Sequence, residues 1–577
     1  MKFKYIIYVL LFPFFITSCE DYFNPSFTGS IEEEGFYDNM NNLRMGLSAT
    51  YNIVQRQDYQ MSELLFGEAF SDNMWTNQDV NSGSVSEIVN FQFSTENSYI
   101  LTRYTRNYQG VNKANQVIRS VPRLVYRDVS SAKVEIREVY GQAKVLRALF
   151  YFNLVRTFGG VSIQPEQAEL EDLIVPRSTE AETYAYIEKD LRESLLLLRK
   201  NQYQQEQAGQ IGIGGGLGLL MKVLLYQASP GIDTPQEVKE KKWREAYEIG
   251  QYFIEGKDIT INNLLKFDER YDDETWEQLA ERLLIDPMYT KESVMAGSDV
   301  VNLHQMSDFD KIFRLEGEFS PESLIEINHY DYDGLSTNID EGYKIQNCFI
   351  NFDSSPGGTL GASCSNDVYT LMNNDPRRLF TVTDRIYNAY YTREGAPVIN
   401  GFTSADGYMY VKYYVFKSEG SSQGRNYRLM RYPEALLIYA EVLNELGYTP
   451  EAISYVNKVR ERARKLLDPA NPNAVYNPVA VSNFRDVSLA PYDLTRDAIL
   501  REKRIEMAGE MDRWYEICRL GIAAERMAFQ ARNLPVESSG KVRVRGQYFK
   551  KGVHERFPIP YREVFISNGI IEQNFGY

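Results

Sequence analysis

The sequence predicts a mainly α-helical protein in which helix pairs stack into a superhelix, interrupted by a large loop-rich insertion. Three observations carry this. Several segments place apolar residues at helical spacing. One unit near the C-terminus is a clean helix–turn–helix. And residues 261–425 change character, becoming rich in Gly, Ser, Asn, Asp and Tyr, as in "SPGGTLGASCSND".

The first periodic segment follows Asn39, where Leu43, Leu47, Tyr51 and Val54 share a face. A second, "YTRNYQGVNKANQVIRSV", is expected to end before Pro122. The strongest spans 136–158, with Val139, Ala143, Leu146, Phe150 and Leu154 as its stripe and Gly159-Gly160 as its stop. "STEAE" from Ser178 is a capped start for a helix running towards Leu198. "GLGLLMKVLLYQAS" and "KKWREAYEIGQYFIEG" form a further pair.

The clean unit is "RYPEALLIYAEVLNELGYTPEAISYVNKVRERARKL", two helices joined by Gly447-Tyr448-Thr449-Pro450. Its Ala440 and Ala452 stand at the spacing where a tetratricopeptide repeat brings its helices into close contact, and Ala246 marks another second helix. The array is a degenerate, tetratricopeptide-like superhelix broken by insertions.

The N-terminus carries a secretory signal. Lys2 and Lys4 precede a short apolar run broken by Pro13, and Ile16-Thr17-Ser18-Cys19 matches a bacterial lipobox. Cys19 is therefore the expected lipidation site, since two or more acyl chains hold a protein to a membrane where one does not. Cleavage before Cys19 removes two lysines and no acid, taking the net charge from −16 to −18. A chain this acidic repels phosphate backbones, which argues against nucleic acid as a partner.

Catalytic patterns are missing. His304, His329 and His554 are scattered, no CxxC or GxSxG occurs, and "GIGGGLG" has Leu217 where a phosphate-binding turn needs glycine. The charged run from Arg501 to Arg513 reads as ion pairs bracing a helix, with Trp514 and Ile517 facing inward. Cofactors and metals are not expected; "DYDG" at 331–334 is the one candidate for a structural calcium, off the usual loop spacing. Cys348 and Cys364 fall in one loop-rich segment and are either a disulfide pair or free thiols.

The sequence resembles the SusD/RagB outer-membrane lipoproteins of Bacteroidetes. "VLRALFYFNLVRTFGGVSI", "IEKDLRESLLLL", "NNDPRR", "LMRYPEALLIYAEVLNELG", "ILREKRIEMAGEMDRWYEICRLG" and "FPIPYREVFISNGIIEQNFGY" match that family's stretches in order, with Ser162, Pro433 and Val442 as departures. The resemblance implies a SusD-like fold and a non-enzymatic surface protein. Such a protein captures oligosaccharides, or alternatively oligopeptides, for a SusC-like TonB-dependent transporter in the outer membrane. A structural or adhesin-like surface protein is the more distant alternative. Glu20-Asp21 resembles the family's surface-export signal.

The expected organisation is a signal peptide at 1–18, a lipidated tether at 19–35 and a helical part with three helix pairs at 36–260. A loop-rich, ligand-facing insertion follows at 261–425, and a C-terminal part with the last pair occupies 426–577. The resemblance places ligand contacts on loops after the first helix and past the third pair. Sugar recognition needs aromatic faces beside planar polar groups. In the first region Trp75 beside Asp72 and Asn73 is expected to be an exposed loop platform; in the second, Tyr271 and Trp276 are the candidates.

Overall fold

The computed structural model describes residues 36–76, 83–126, 133–166, 174–200, 209–265, 274–286, 288–329, 363–383, 408–410, 412, 425–467, 484–533 and 544–577. The lipobox and Cys19, Tyr271, the 331–334 motif and Cys348 lie outside them. Cys364 is a buried free thiol.

Among the described residues, eight helices build the paired frame: α1 (Met40–Gln55), α2 (Ser98–Tyr126), α3 (Lys133–Phe158), α4 (Glu180–Ser194), α5 (Ile213–Ala228), α6 (Gln236–Phe253), α7 (Tyr432–Glu445) and α8 (Thr449–Arg464). Consecutive helices pack against one another from α1 to α6, α7 packs on both α5 and α6, and α8 pairs with α7. These are four helix pairs, three before the insertion and one after it. Local signals set their ends. Asn39 caps α1 by accepting from the Asn42 N–H, and Thr179 and Glu182 form a reciprocal capping box on α4. Gly159, at φ +79°, ends α3.

α2 does not stop before Pro122 but runs on to Tyr126. Proline removes one hydrogen bond near the end of the helix, and the burial of Val121 and Leu124 on either side holds that turn in place.

Short strands accompany the helices, among them β1 (Met74–Trp75), β2 (Ile259–Thr260), β3 (Ser323–Ile327), β4 (Ser363–Cys364) and β5 (Tyr427–Arg431). Helix α3 is buried along almost its whole length from Val139, and α5 along all of it, so these two form the centre. The glycines of α5 let a two-stranded antiparallel sheet, β3 paired with β5, approach closely. A Cβ on Gly215 would stand 2.7 Å from the Leu324 carbonyl oxygen, and one on Gly218 2.8 Å from Leu324 Cδ1. "GIGGGLG" is thus a packing surface, opened by Gly212 as its cap.

Arg501 is exposed, while from Glu502 onward the C-terminal charged run lies largely in the interior. It contributes α9 (Tyr492–Glu506) and α10 (Arg513–Arg519), with Trp514 and Ile517 buried. Arg431 is fully buried against Glu322, Glu506 (2.9 Å) and Glu510, while Arg377 meets Glu502 (2.6 Å) and Glu506 (3.0 Å). Arg519 grips Glu441 with both terminal nitrogens at 2.8 Å. Charges this deep persist only when paired and hydrogen-bonded on all sides, and removal of one partner strands the other.

Candidate functional site

The stretch around Trp75 is structural. Trp75 is 3% exposed and sits in β1, which pairs antiparallel with β4. The Arg545 guanidinium lies 4.9 Å from its ring centre. Asp72 is wholly buried, 2.8 Å from Arg513 and 3.0 Å from Arg504, and also pairs with Arg526. Burial works to raise its pKa, but the charges of Arg504 and Arg513 outweigh it and hold the carboxyl far below its usual range. Asn73 donates to Glu68 and accepts from Arg504, both at 2.9 Å. The expectation of an exposed loop platform at Asp72, Asn73 and Trp75 is therefore corrected. The insertion folds a strand over the tryptophan, and three arginines consume the carboxylate.

Trp276 stands differently. It opens the short helix Trp276–Arg282, capped reciprocally by Thr275 and Gln278. Leu279 and Leu283 insert into the core, and Arg282 ties the helix down through Glu274 at 2.7 Å and Glu193 at 2.8 Å. On this frame Trp276 is half-buried, and its indole N–H donates to the Tyr289 carbonyl at 3.3 Å. Tyr289 is 45% exposed and Met288 75%. Asp286, Thr290 and Ser293 surround them with short polar side chains that close the turn locally. The result is a half-exposed indole on a braced support, bonded to the backbone of an exposed tyrosine and set in a polar turn. Its geometry suits stacking of an apolar ring face with in-plane polar contacts.

A second aromatic feature of the insertion escaped sequence reasoning. Tyr369 and Tyr408 stack with ring centres 3.7 Å apart and planes 3° apart, and Arg378 lies 5.1 Å over Tyr369. Tyr408 joins β4 through paired backbone hydrogen bonds with Cys364. No local pattern signals this pairing, because its partners are brought together only by the insertion's long-range fold.

The histidines are absorbed by packing. His304 Nδ1 lies 2.9 Å from the Pro321 carbonyl, His329 Nε2 is 2.7 Å from Gln60, and His554 Nδ1 accepts from the Lys550 N–H at 3.0 Å. Burial pushes His304 and His554 down to about 4, so both are neutral at physiological pH. Among the described residues, no group of three or more His, Cys, Asp or Glu is arranged to hold a metal ion.

The molecule is thus a set of α-helix pairs carrying a loop-rich insertion with aromatic residues at its surface. Comparison with known proteins specifies the class. A model of the "SusD family" matches residues 321–577, and one described as "Starch-binding associating with outer membrane" matches 34–209. The chain is a member of the SusD-like family. Among its relatives, SusD-like protein P38 of Formosa agariphila is 23% identical over 534 residues, covering 89% of this chain and 90% of that protein. A SusD homolog from Bacteroides thetaiotaomicron superposes with a TM-score of 0.70 at 20% identity, over 95% of this chain and 98% of the other. A laminarin-binding SusD-like protein gives 0.66 at 21%, over 94% and 100%. These likenesses show that the fold is that of the family.

Proposed function

We propose that this protein is a cell-surface lipoprotein, anchored through Cys19, that binds oligosaccharides without transforming them and delivers them to a SusC-like TonB-dependent transporter in the outer membrane. The observation that carries the saccharide reading is the Trp276 indole, half-exposed beside Tyr289 on a helix fixed by a capping box and by Arg282. A platform held this way presents its face without ordering cost when a ligand arrives. Family membership and a laminarin-binding structural neighbour point the same way. The reading without catalysis is supported by the fate of the charged groups. The buried carboxylates Glu322, Glu502, Glu506 and Glu510 are locked in ion pairs with buried arginines, away from solvent.

The test is a binding screen of the purified protein against soluble β-glucan, α-glucan and xylan oligosaccharides and a tryptic peptide mixture, with a reducing-end assay run in parallel. The expected result is binding within one saccharide series and no new reducing ends. Binding confined to peptides, or saccharide turnover, contradicts the proposal.

A further inference from the structure

We infer that the turn between α7 and α8 carries a second saccharide subsite, built on Tyr448 and Tyr247, which engages the same glycan beyond the Trp276 platform; this rests on the saccharide reading above. Tyr448 is placed rigidly. Gly447, at φ +86°, ends α7 in a motif where the Gly447 N–H donates to Asn444 (3.1 Å) and the Tyr448 N–H to Leu443 (2.8 Å). The residue at Tyr448's position in such a motif usually folds back on its own helix. Here its ring instead stacks on Tyr247 of α6, with centres 5.3 Å apart and planes 13° apart. Tyr247 continues the ladder to Tyr439, 6.2 Å away. The outer end, Tyr448, remains 43% exposed.

The surroundings are polar and fixed. Gln251 donates to the Tyr247 hydroxyl at 2.8 Å, Tyr439 donates to Glu255 at 2.7 Å, and Glu255 pairs with Lys257 at 2.9 Å. Tyr492, 39% exposed, reaches the same turn through its carbonyl, which accepts from Asn444 at 3.2 Å. Helical spacing puts Tyr247 and Gln251 on the face of α6 that also bears Glu240 and Arg244, beside a concavity of about 370 Å³ that Glu240 and Arg244 help to line. An aromatic face beside hydroxyl, amide, carboxylate and ammonium groups fits a polyhydroxylated chain better than an apolar protein surface.

The connection to the first platform is short. From Lys257 the chain passes through β2, and Asn262 donates to the Lys291 carbonyl beside Tyr289. Five residues span at most about 17 Å. The two aromatic features are thus linked through one short stretch of backbone, and a polymer rather than a trisaccharide is the probe for joint engagement.

The experiment compares wild type, Tyr448→Ala, Tyr448→Phe and Trp276→Ala for binding to laminaritriose and to laminarin, with malto- and xylo-series run alongside, by isothermal titration and affinity gels. In the series the wild type binds, Tyr448→Ala is expected to weaken polymer binding by roughly 2- to 10-fold. It should leave trisaccharide affinity and melting temperature unchanged, and Tyr448→Phe should behave as wild type. Polymer affinity unchanged in Tyr448→Ala but lowered in Trp276→Ala overturns this inference and leaves the saccharide reading standing. The inference also falls if Tyr448→Ala loses a co-purifying protein while binding polymer normally. A wild type that binds none of the three series overturns both.

Discussion

Glu68 lies wholly buried on the π-helical turn Leu65–Ala69, accepting hydrogen bonds from Asn73 and from the Gly509 N–H, both at 2.9 Å. Burial pushes its carboxyl up to about 7, against the opposing pull of those hydrogen bonds and of Arg513. The folded state therefore keeps a proton that the unfolded chain releases above about 4.5. Stability from this group is full below that pH and is lost as pH rises to about 7, a change of about 3 kcal/mol at most. Carboxylates depressed by cations, such as Glu193 at about 2, act in the opposite sense and below pH 4.5. Glu68→Gln preserves both acceptor contacts, so its unfolding free energy, measured in urea at pH 5 and pH 7.5, should fall less than that of wild type. Identical pH slopes for the two proteins would refute the assignment. At this scale the sequence was legible where a residue's partners were near. The inward Trp514 and Ile517 followed from helical spacing. Trp75 did not, because Ser363 and Arg545, far along the chain, decide its burial.

Among the elements, the α7–α8 pair was the clearest in sequence, and it forms as expected with Ala440 and Ala452 both fully buried. Small side chains there let the two helices approach, so Ala452→Leu should overpack the pair and cost roughly 1–3 kcal/mol. A melting temperature equal to wild type would show that the helices do not touch at this position. Caps and stops were equally readable, as the Thr179–Glu182 box and Gly159 show. The short strands were not. β1, β4 and the Tyr408 bridge contain one or two residues each, too few for a period-2 pattern, and their partners lie far along the chain, Ser363 for Trp75 and Cys364 for Tyr408. The candidate site shares this property: Trp276 was visible as an aromatic in a polar stretch, whereas its partner Tyr289 emerges only once the 274–293 segment closes on itself.

For the whole molecule, the charge of −16, the N-terminal lipobox and the membership of the SusD-like family underlie the proposal of an acidic binding body tethered to a membrane. Among the described residues no helix is long and apolar enough to cross a membrane; in this proposal the tether is the acylated Cys19, read from the lipobox. Cys19→Ala should move the protein from the membrane fraction to the soluble fraction and abolish palmitate labelling; retention of both would reject the anchor. The central claim is that this body holds saccharide on the Trp276–Tyr289 surface. Its most direct test is the dissociation constant of the cognate oligosaccharide for wild type and Trp276→Ala, by isothermal titration. Loss of roughly 1–3 kcal/mol of affinity, by analogy with stacking of nucleic-acid bases on aromatics, with the fold intact is the predicted result. An unchanged constant in Trp276→Ala would contradict it.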